Sequence, residues 1–305
     1  MGLWLGLAIA MNSLAKPGAR LPDPASTSVV LVVQLGFTEQ GAITQEWKEA
    51  IRNRHSGESL EAVARSRRKP TDDELQWMHL TNEKAPKWRA MIDSLRIPFP
   101  DISPPDTAVI LIGNQGGGDA FSFAPSTICF DLSQLQALYG NATVHANADM
   151  LDRFFAHEFT HLLHKAWARR NPVHVQTPLE IALWDCLAEG LGNYRSLSDR
   201  WVRKAGGLTE HADSVLAKLE PVFVNRLAAL EHASEKEATS LMKGLSSGPF
   251  DQKWGAVTVA LWLVRETRGD DRQLRKWVEA GPNGILKLAR IYLPEDLKRR
   301  LPSPK

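Results

Sequence analysis

The apolar positions of this 305-residue chain follow two kinds of spacing, and each predicts a different element. Short apolar runs predict buried strands at 29–33, 107–113 and 126–132. Apolar positions three and four residues apart predict helices, because they form one face of a helix. We place these helices at 42–54, 58–66, 73–95, 147–170, from 177 past 189, 213–231 with a break near Pro221, 253–267, 273–279 and 284–292. The predicted fold class is therefore α+β, dominated by helices, with a small sheet.

The helix at 147–170 has signals at both of its ends. Asn147 is the expected N-cap, and Asp149 and Asp152 supply the negative charge that favours a first turn. Asn171-Pro172 ends the helix. A broad apolar arc predicts that most of this helix is buried while the opposite edge faces a cleft. The arc consists of Leu151, Phe155, Phe159, Leu162, Leu163 and Ala166.

The edge opposite this arc carries the sequence His157-Glu158-Phe159-Thr160-His161. Two imidazoles one helical turn apart can reach a single ion on the same side. Glu158 lies about 100° around the helix from His157, which suits a carboxylate beside a metal-activated water. This spacing predicts a catalytic metal site.

A catalytic zinc ion usually has three protein ligands, so a third is expected outside this helix. Thr177-Pro178-Leu179-Glu180 has the pattern of a capping box with proline at the first helical position. The helix that begins there carries Glu189 as the candidate ligand, with Gly190 and Gly192 allowing a close approach to the first helix. The alternative is that Glu189 is a surface carboxylate and the glycines end the helix.

These residues resemble the gluzincin metallopeptidases, in which a glutamate on the next helix completes a His-Glu-x-x-His site. Ala188-Glu189-Gly190-Leu191 resembles their Glu-Gly segment. The segment 251–256 and Gly269 resemble a Tyr-x-x-Gly-like helix and a later glycine, although Trp254 stands at the tyrosine position. The resemblance covers about 107–290 and identifies no family within the group.

The resemblance implies a zincin-like fold with a small mixed sheet over the metal helix, and a Zn²⁺ ion. It implies that His157, His161 and Glu189 are the metal ligands and that Glu158 is the catalytic base. The substrate would be a peptide or protein bound along an edge strand, for which the resemblance suggests 128–132. The sequence leaves open whether such an enzyme is an endopeptidase or an exopeptidase.

Several alternatives remain at the level of sequence. The protein could instead be a non-catalytic binding or scaffold protein that keeps the fold. Asp185 or Asn193 could orient a ligand histidine, because metal-bound imidazoles donate their other N–H to an oxygen. Cys129 and Cys186 could pair or stay free. The residues with a candidate group for stabilising an oxyanion are Tyr194, His174, His211 and His232.

Composition and the N-terminus narrow the class of protein. A net charge of +2 argues against a dedicated nucleic-acid binder. Residues 3–11 are apolar and Ser13-Leu14-Ala15 offers small residues for a signal peptidase, so we expect a periplasmic or secreted protein with no stable membrane insertion after signal removal. The expected regions are a signal peptide at 1–15, a linker at 16–27, an N-terminal α/β region at 28–106 and a catalytic region at 107–300. The oligomeric state is not predicted.

Overall fold

The computed structural model of the protein describes residues 29–54, 62–63 and 65–303. The strands in these ranges are β1 (Val30–Leu35), β2 (Thr107–Gly113), β3 (Ala120–Phe123) and β4 (Thr127–Asp131). The helices are α1 (Gln45–Arg54), α2 (Asp72–Leu95), α3 (Leu132–Tyr139), α4 (His145–Arg170), α5 (Pro178–Ser196), α6 (Glu210–Leu230), α7 (Glu235–Leu241), α8 (Ala256–Thr267), α9 (Arg275–Ala280), α10 (Pro282–Tyr292) and α11 (Glu295–Lys298). Two 3₁₀ turns lie at Phe250–Gln252 and Asp271–Leu274.

The strands form one mixed sheet in the order β1-β2-β4-β3. The first three strands in this order are parallel, and β3 pairs antiparallel with β4. The prediction that 128–132 is an edge strand is wrong, because the short strand β3 turns back and covers the outer side of β4. The structure is a helix-rich α+β fold in which this four-stranded sheet precedes α4, as the sequence predicted.

The two faces of the sheet bury different apolar clusters. Ile128 and Phe130 of β4 face the large cluster that includes α2, α4 and most of the later helices. Cys129 between them faces a smaller cluster around Trp47 of α1. Alternate residues of a strand point to opposite faces, so a single strand contributes to both clusters. The sheet is therefore covered on one side by α1 and on the other by α4.

The ends of α4 only partly follow the sequence signals. The helix ends at Arg170 as predicted, but it begins at His145 with Val144 as its N-cap. The prediction of Asn147 as N-cap is wrong, because its side-chain amide instead donates to the carbonyl oxygens of Tyr139 (3.0 Å) and Asn141 (2.8 Å). Asn147 therefore stabilises the turn between α3 and α4.

The capping box predicted for α5 is confirmed. The Thr177 hydroxyl accepts from the backbone N–H of Glu180 at 3.2 Å, and the Glu180 carboxylate accepts from the backbone N–H of Thr177 at 2.9 Å. The break predicted near Pro221 is wrong, because α6 runs through this residue.

Some predictions concern residues outside the described ranges. The signal peptide at 1–15, the linker at 16–27 and most of the helix predicted at 58–66 fall there. The boundary between 28–106 and 107–300 stays a prediction, although β1 and β2 from its two sides pair in one sheet. Among the described helices, none has the length and apolar character needed to cross a membrane.

Candidate metal centre

Close packing of α5 against α4 brings the two predicted halves of the site together. A Cβ atom at Gly192 would lie 2.9 Å from the imidazole of His157, so a side chain there would push the helices apart. Gly190, on another side of α5, makes a similar close approach to Val259 of α8. The two glycines thus lie inside the helix, and the alternative that they end it is wrong.

The side chains of His157, Glu158 and His161 form a group that could hold a metal ion. One possible donor atom from each lies within 4.8 Å of the others. The Nε2 atoms of the two histidines are 2.9 Å apart. Their side chains are only 15% and 11% exposed, so the group lies in a recess rather than on the surface.

Glu189 of α5 lies against the same pair of imidazoles. Its Oε2 is 3.8 Å from Nε2 of His157, and its Oε1 is 3.6 Å from Nε2 of His161. Glu158 also has a carboxylate oxygen 3.9 Å from Nε2 of His157. Glu189 is 25% exposed at its side chain, whereas Glu158 is buried. Two carboxylates in different surroundings therefore flank one pair of imidazoles.

Ser196 contacts the other ring nitrogen of His157, a role that the sequence analysis did not assign to it. His157 Nδ1 lies 3.1 Å from Ser196 Oγ, and the Ser196 hydroxyl donates to the carbonyl oxygen of Gly192 at 3.4 Å. With the hydroxyl proton used in this way, Nδ1–H donates to Ser196, and the lone pair of Nε2 is left for a metal. Ser196 is seven residues, about two helical turns, after Glu189.

Asn193 and Asp185, the candidates for orienting a ligand histidine, are placed differently. The side chain of Asn193 donates to the backbone carbonyl oxygen of Glu189 at 2.8 Å, one turn back in the same helix. Burial, and then the negative charge of Glu189, raises the pKa of Asp185 to about 7. Asn193 thus stabilises α5 itself, and Asp185 adds a carboxyl group whose charge depends on Glu189.

The protonation states at the site follow from its burial. Burial lowers the pKa of His157 to about 3, and the nearby His161 adds to this effect. Burial and then the charge of Lys165 lower the pKa of His161 to about 3 as well. Both imidazoles are therefore neutral at physiological pH, which is the form that binds metals.

Glu158 shows the opposite effect. Burial, followed by the negative charge of Glu189, raises its pKa to about 8. In the absence of a metal, this carboxyl group is therefore mostly protonated at neutral pH. A buried carboxyl group with a raised pKa beside two neutral imidazoles is typical of a functional site.

The groups considered for oxyanion stabilisation have other contacts. The Tyr194 hydroxyl donates to Asp271 at 2.8 Å, and Arg195 pairs with the same carboxylate. His211 contacts the ring of Trp201, while His232 and His174 are exposed. The indole N–H of Trp254 donates to the carbonyl oxygen of Lys243 at 3.0 Å. These contacts indicate structural roles for Tyr194, His211 and Trp254. The exposure of the other two histidines indicates surface roles.

Other polar residues near the helix α4 are structural. His164 is 2% exposed and its ring stacks on that of Trp184 at 4.6 Å. Cys129 and Cys186 are both buried and free, and they belong to different apolar clusters. The alternative of a disulfide between them is therefore wrong for this structure.

The glycine-rich segment 113–118 is held tightly beside the site. The indole N–H of Trp47 donates to the carbonyl oxygen of Gln115 at 2.8 Å, and the Asp131 carboxylate accepts from the N–H of Gly117 at 2.7 Å. A Cβ atom at Gly113 would lie 2.0 Å from the Trp47 ring. The glycines therefore allow close packing of the segment that leads into β3.

Comparisons of this chain with protein-family models, with curated proteins and with solved structures found no match. The class of site therefore follows from its geometry alone. It is a recessed group of His and Glu side chains that could hold a metal ion.

Proposed function

We propose that the protein is a zinc-dependent peptidase of the gluzincin type. This proposal rests on one observation: two carboxylates in different environments lie beside the same pair of imidazoles. Glu189 approaches both Nε2 atoms to within 3.8 Å, while Glu158 is buried beside them with a raised pKa. In such a pair, one carboxylate can serve as a metal ligand and the other as a proton acceptor.

The donor atoms fit a zinc ion held by His157, His161 and Glu189. Bonds of about 2.0 Å at a tetrahedral angle separate ligand atoms by about 3.3 Å. The separations here are 2.9 Å between the imidazole nitrogens and 3.6 and 3.8 Å to Glu189, so shifts of a few tenths of an ångström suffice. Nitrogen and carboxylate donors also suit zinc chemically.

The chemistry divides between the ion and the side chains. Bound zinc would act as a Lewis acid that polarises a water molecule and the substrate carbonyl. With the ion bound, Glu158 would be ionised and could accept a proton from the attacking water. The water oxygen would then bond to the carbonyl carbon, the C–N bond would break, and Glu158 would pass the proton to the leaving amine. Ser196 keeps the imidazole of His157 in one orientation throughout.

The peptide would lie along β3, which replaces the edge strand expected at 128–132. The N–H of Asp131 donates to the carbonyl oxygen of Asp119. Together with the register of β3 and β4, this bond shows which residues of β3 direct their backbone groups towards β4 and which direct them away. With this pairing the backbone N–H and C=O of Ser122 point away from β4, towards an edge of the sheet that no other described strand covers. An extended peptide can pair with such an edge.

We further propose that the enzyme acts on peptides or proteins in the periplasm or outside the cell.

The test is the variant Glu158→Gln in zinc-loaded protein. If Glu158 is the general base, peptide hydrolysis should fall about a hundredfold or more while the zinc content is unchanged. Asp149→Asn, which removes an exposed carboxylate from the N-terminal part of the same helix, is the matched control and should keep its turnover.

The same experiment separates the peptidase from a non-catalytic binding or scaffold protein. Zinc-loaded wild type without peptide hydrolysis, or equal hydrolysis by wild type and Glu158→Gln, would contradict the proposal. A scaffold protein has no need of a proton acceptor beside its metal, so its properties should be alike in the two proteins.

A further inference from the structure

Two cationic side chains approach the edge strand β3 from opposite faces of the sheet. The ammonium group of Lys165 on α4 donates to the Ser122 hydroxyl at 3.0 Å. On the other face, the guanidinium of Arg54 at the end of α1 lies 5.1 Å from the centre of the Phe121 ring. Consecutive residues of a strand face opposite sides of the sheet, so one cation lies on each face beside the edge strand β3.

The backbone leaves room for Arg54 at the rim of the cleft. A Cβ atom at Gly118 would lie 2.8 Å from its Nε atom, so a residue with a side chain there would displace the guanidinium. Gly118 comes just before β3, and the segment around it is held by Trp47 and Asp131. Arg54 is thus kept beside the start of the strand along which a peptide would lie.

Neither cation forms a close ion pair with another residue that the structure describes. Within the described part of the chain, no carboxylate oxygen lies within 4.0 Å of the charged group of Arg54 or Lys165, although both exert their charge on Glu158. A flat guanidinium over a ring and an ammonium bound to a hydroxyl both keep hydrogen-bond donors free for an anion.

Charges of both signs surround these two cations. A divalent ion offsets the charges of Glu158 and Glu189. The carboxylate of Asp119, just before β3, accepts a hydrogen bond from the Tyr139 hydroxyl at 2.6 Å, and its negative charge helps to raise the pKa of Glu158. Lys253 adds a further positive charge that acts on His157.

Resting on the peptidase function proposed above, we propose that the site selects peptides with a carboxylate close to the cleaved bond, bound by Arg54 and Lys165. The carboxylate would belong either to an acidic side chain or to the C-terminus of the peptide. Arg54 can bind it through two parallel N–H groups, and Lys165 can move from Ser122 to reach it from the other side of β3.

The test uses zinc-loaded enzyme and matched peptides. One set of fluorogenic peptides differs only by Asp against Asn at each position around the cleaved bond, and a second set differs only by a free or an amidated C-terminus. We expect kcat/KM to be about tenfold or more higher for the carboxylate form at one position or at the C-terminus, since a tenfold preference needs only about 1.4 kcal/mol. The set that shows the preference identifies the source of the carboxylate.

The variants Arg54→Gln and Lys165→Gln should each reduce this preference, and the double variant should abolish it. Arg169→Gln, which removes an exposed cation from the next turn of α4, should leave the ratio unchanged. Because the readout is a ratio between matched peptides, a general loss of activity does not imitate the expected result.

The outcome distinguishes this inference from the proposed function. Equal cleavage of carboxylate and amide peptides would overturn the inference while the peptidase function stands. If no peptide is cut, binding of the same peptides to zinc-loaded Glu158→Gln decides. Preferential binding that depends on Arg54 and Lys165 would support the carboxylate site without a peptidase, and equal binding would overturn both.

Discussion

At the scale of single residues, the contact of Glu189 with both imidazoles gives a direct prediction for zinc binding. Glu189→Gln should weaken zinc binding by more than the roughly 10–100-fold that loss of an outer hydrogen-bond partner causes. Ser196→Ala removes such a hydrogen-bond partner of His157, so its loss of zinc affinity should lie within that range. Competition with a chromophoric chelator measures both affinities. Equal zinc affinity in Glu189→Gln and wild type would remove Glu189 from the ligand set.

The buried imidazole of His164 predicts a dependence of stability on pH. Burial lowers its pKa to about 4, whereas the unfolded chain takes up this proton near pH 6.5. The unfolded state therefore gains protons first as the pH falls, and the folded state loses up to about 3 kcal/mol of stability between pH 6.5 and 4. The loss should be smaller in His164→Phe, with urea unfolding of the metal-free protein at pH 7 and 4.5 as the measurement. A decline equal to that of wild type would contradict this assignment.

The residues of the site differ in how far the sequence could reveal them. His157, Glu158 and His161 lie within one turn of a helix, so their spacing alone brings them together. Ser196 comes from the end of another helix, and its contact with His157 depends on how α4 and α5 pack. Arg54 is more than a hundred residues before the motif and approaches it only because α1 covers the sheet. Contacts of this kind depend on tertiary packing and have no local signal.

At the scale of elements, glycines determine how closely three helices approach one another. Gly192 of α5 lies against His157 of α4, and Gly190 lies against Val259 of α8. Gly255, just before α8, lies against the sulfur of Cys186 in α5. The carboxylate of Glu189 is thus positioned by contacts on both sides of its helix.

The two glycines of α5 form a matched pair for a test of this packing. Gly192→Ala should weaken zinc binding and destabilise the fold, because its Cβ would displace the His157 imidazole. Gly190→Ala should destabilise the fold by about 1–3 kcal/mol through overpacking against Val259, with a smaller effect on zinc. Urea unfolding and zinc titration of both variants provide the comparison. A larger zinc effect in Gly190→Ala than in Gly192→Ala would contradict this reading.

Most elements could be predicted from sequence, but the short elements β3 and α3 could not. The apolar run at Thr107–Gly113 and the capping box of α5 are strong local signals, and both were found in place. The strand β3 has four residues and the helix α3 has eight, too few for a periodic pattern to stand out. The hairpin of β3 and β4 therefore went unpredicted, and with it the true edge of the sheet.

At the scale of the whole molecule, the segment before residue 107 is part of the structure that supports α4. β1 pairs with β2 along its length, and α2 packs against α4. The Trp88 ring of α2 stacks on Phe155 of α4 at 4.7 Å, and its N–H donates to the Asp152 carboxylate at 2.8 Å. The same carboxylate also binds Lys84 and Lys87.

A chain that begins at residue 107 should therefore fail to fold cooperatively. It would expose the edge of β2 and leave the buried carboxylate of Asp152 without its partners, which is a costly loss. Near-ultraviolet circular dichroism and urea unfolding of this fragment, beside the full chain, provide the measurement. A sharp unfolding transition like that of the full chain would show that the earlier segment is dispensable.

The contact between Gly190 and Val259 has a consequence for how this chain can change over evolutionary time. A side chain at position 190 fits only where position 259 becomes smaller, because the Cβ atom at 190 would lie 2.4 Å from a methyl group of Val259. Natural variants should therefore substitute the two positions together, for example by alanine at 190 with glycine at 259, because the Cβ atom of residue 259 would itself lie 2.8 Å from the new Cβ. Such paired substitutions would preserve the distance between α5 and α8, and with it the position of Glu189, without any change at the site itself.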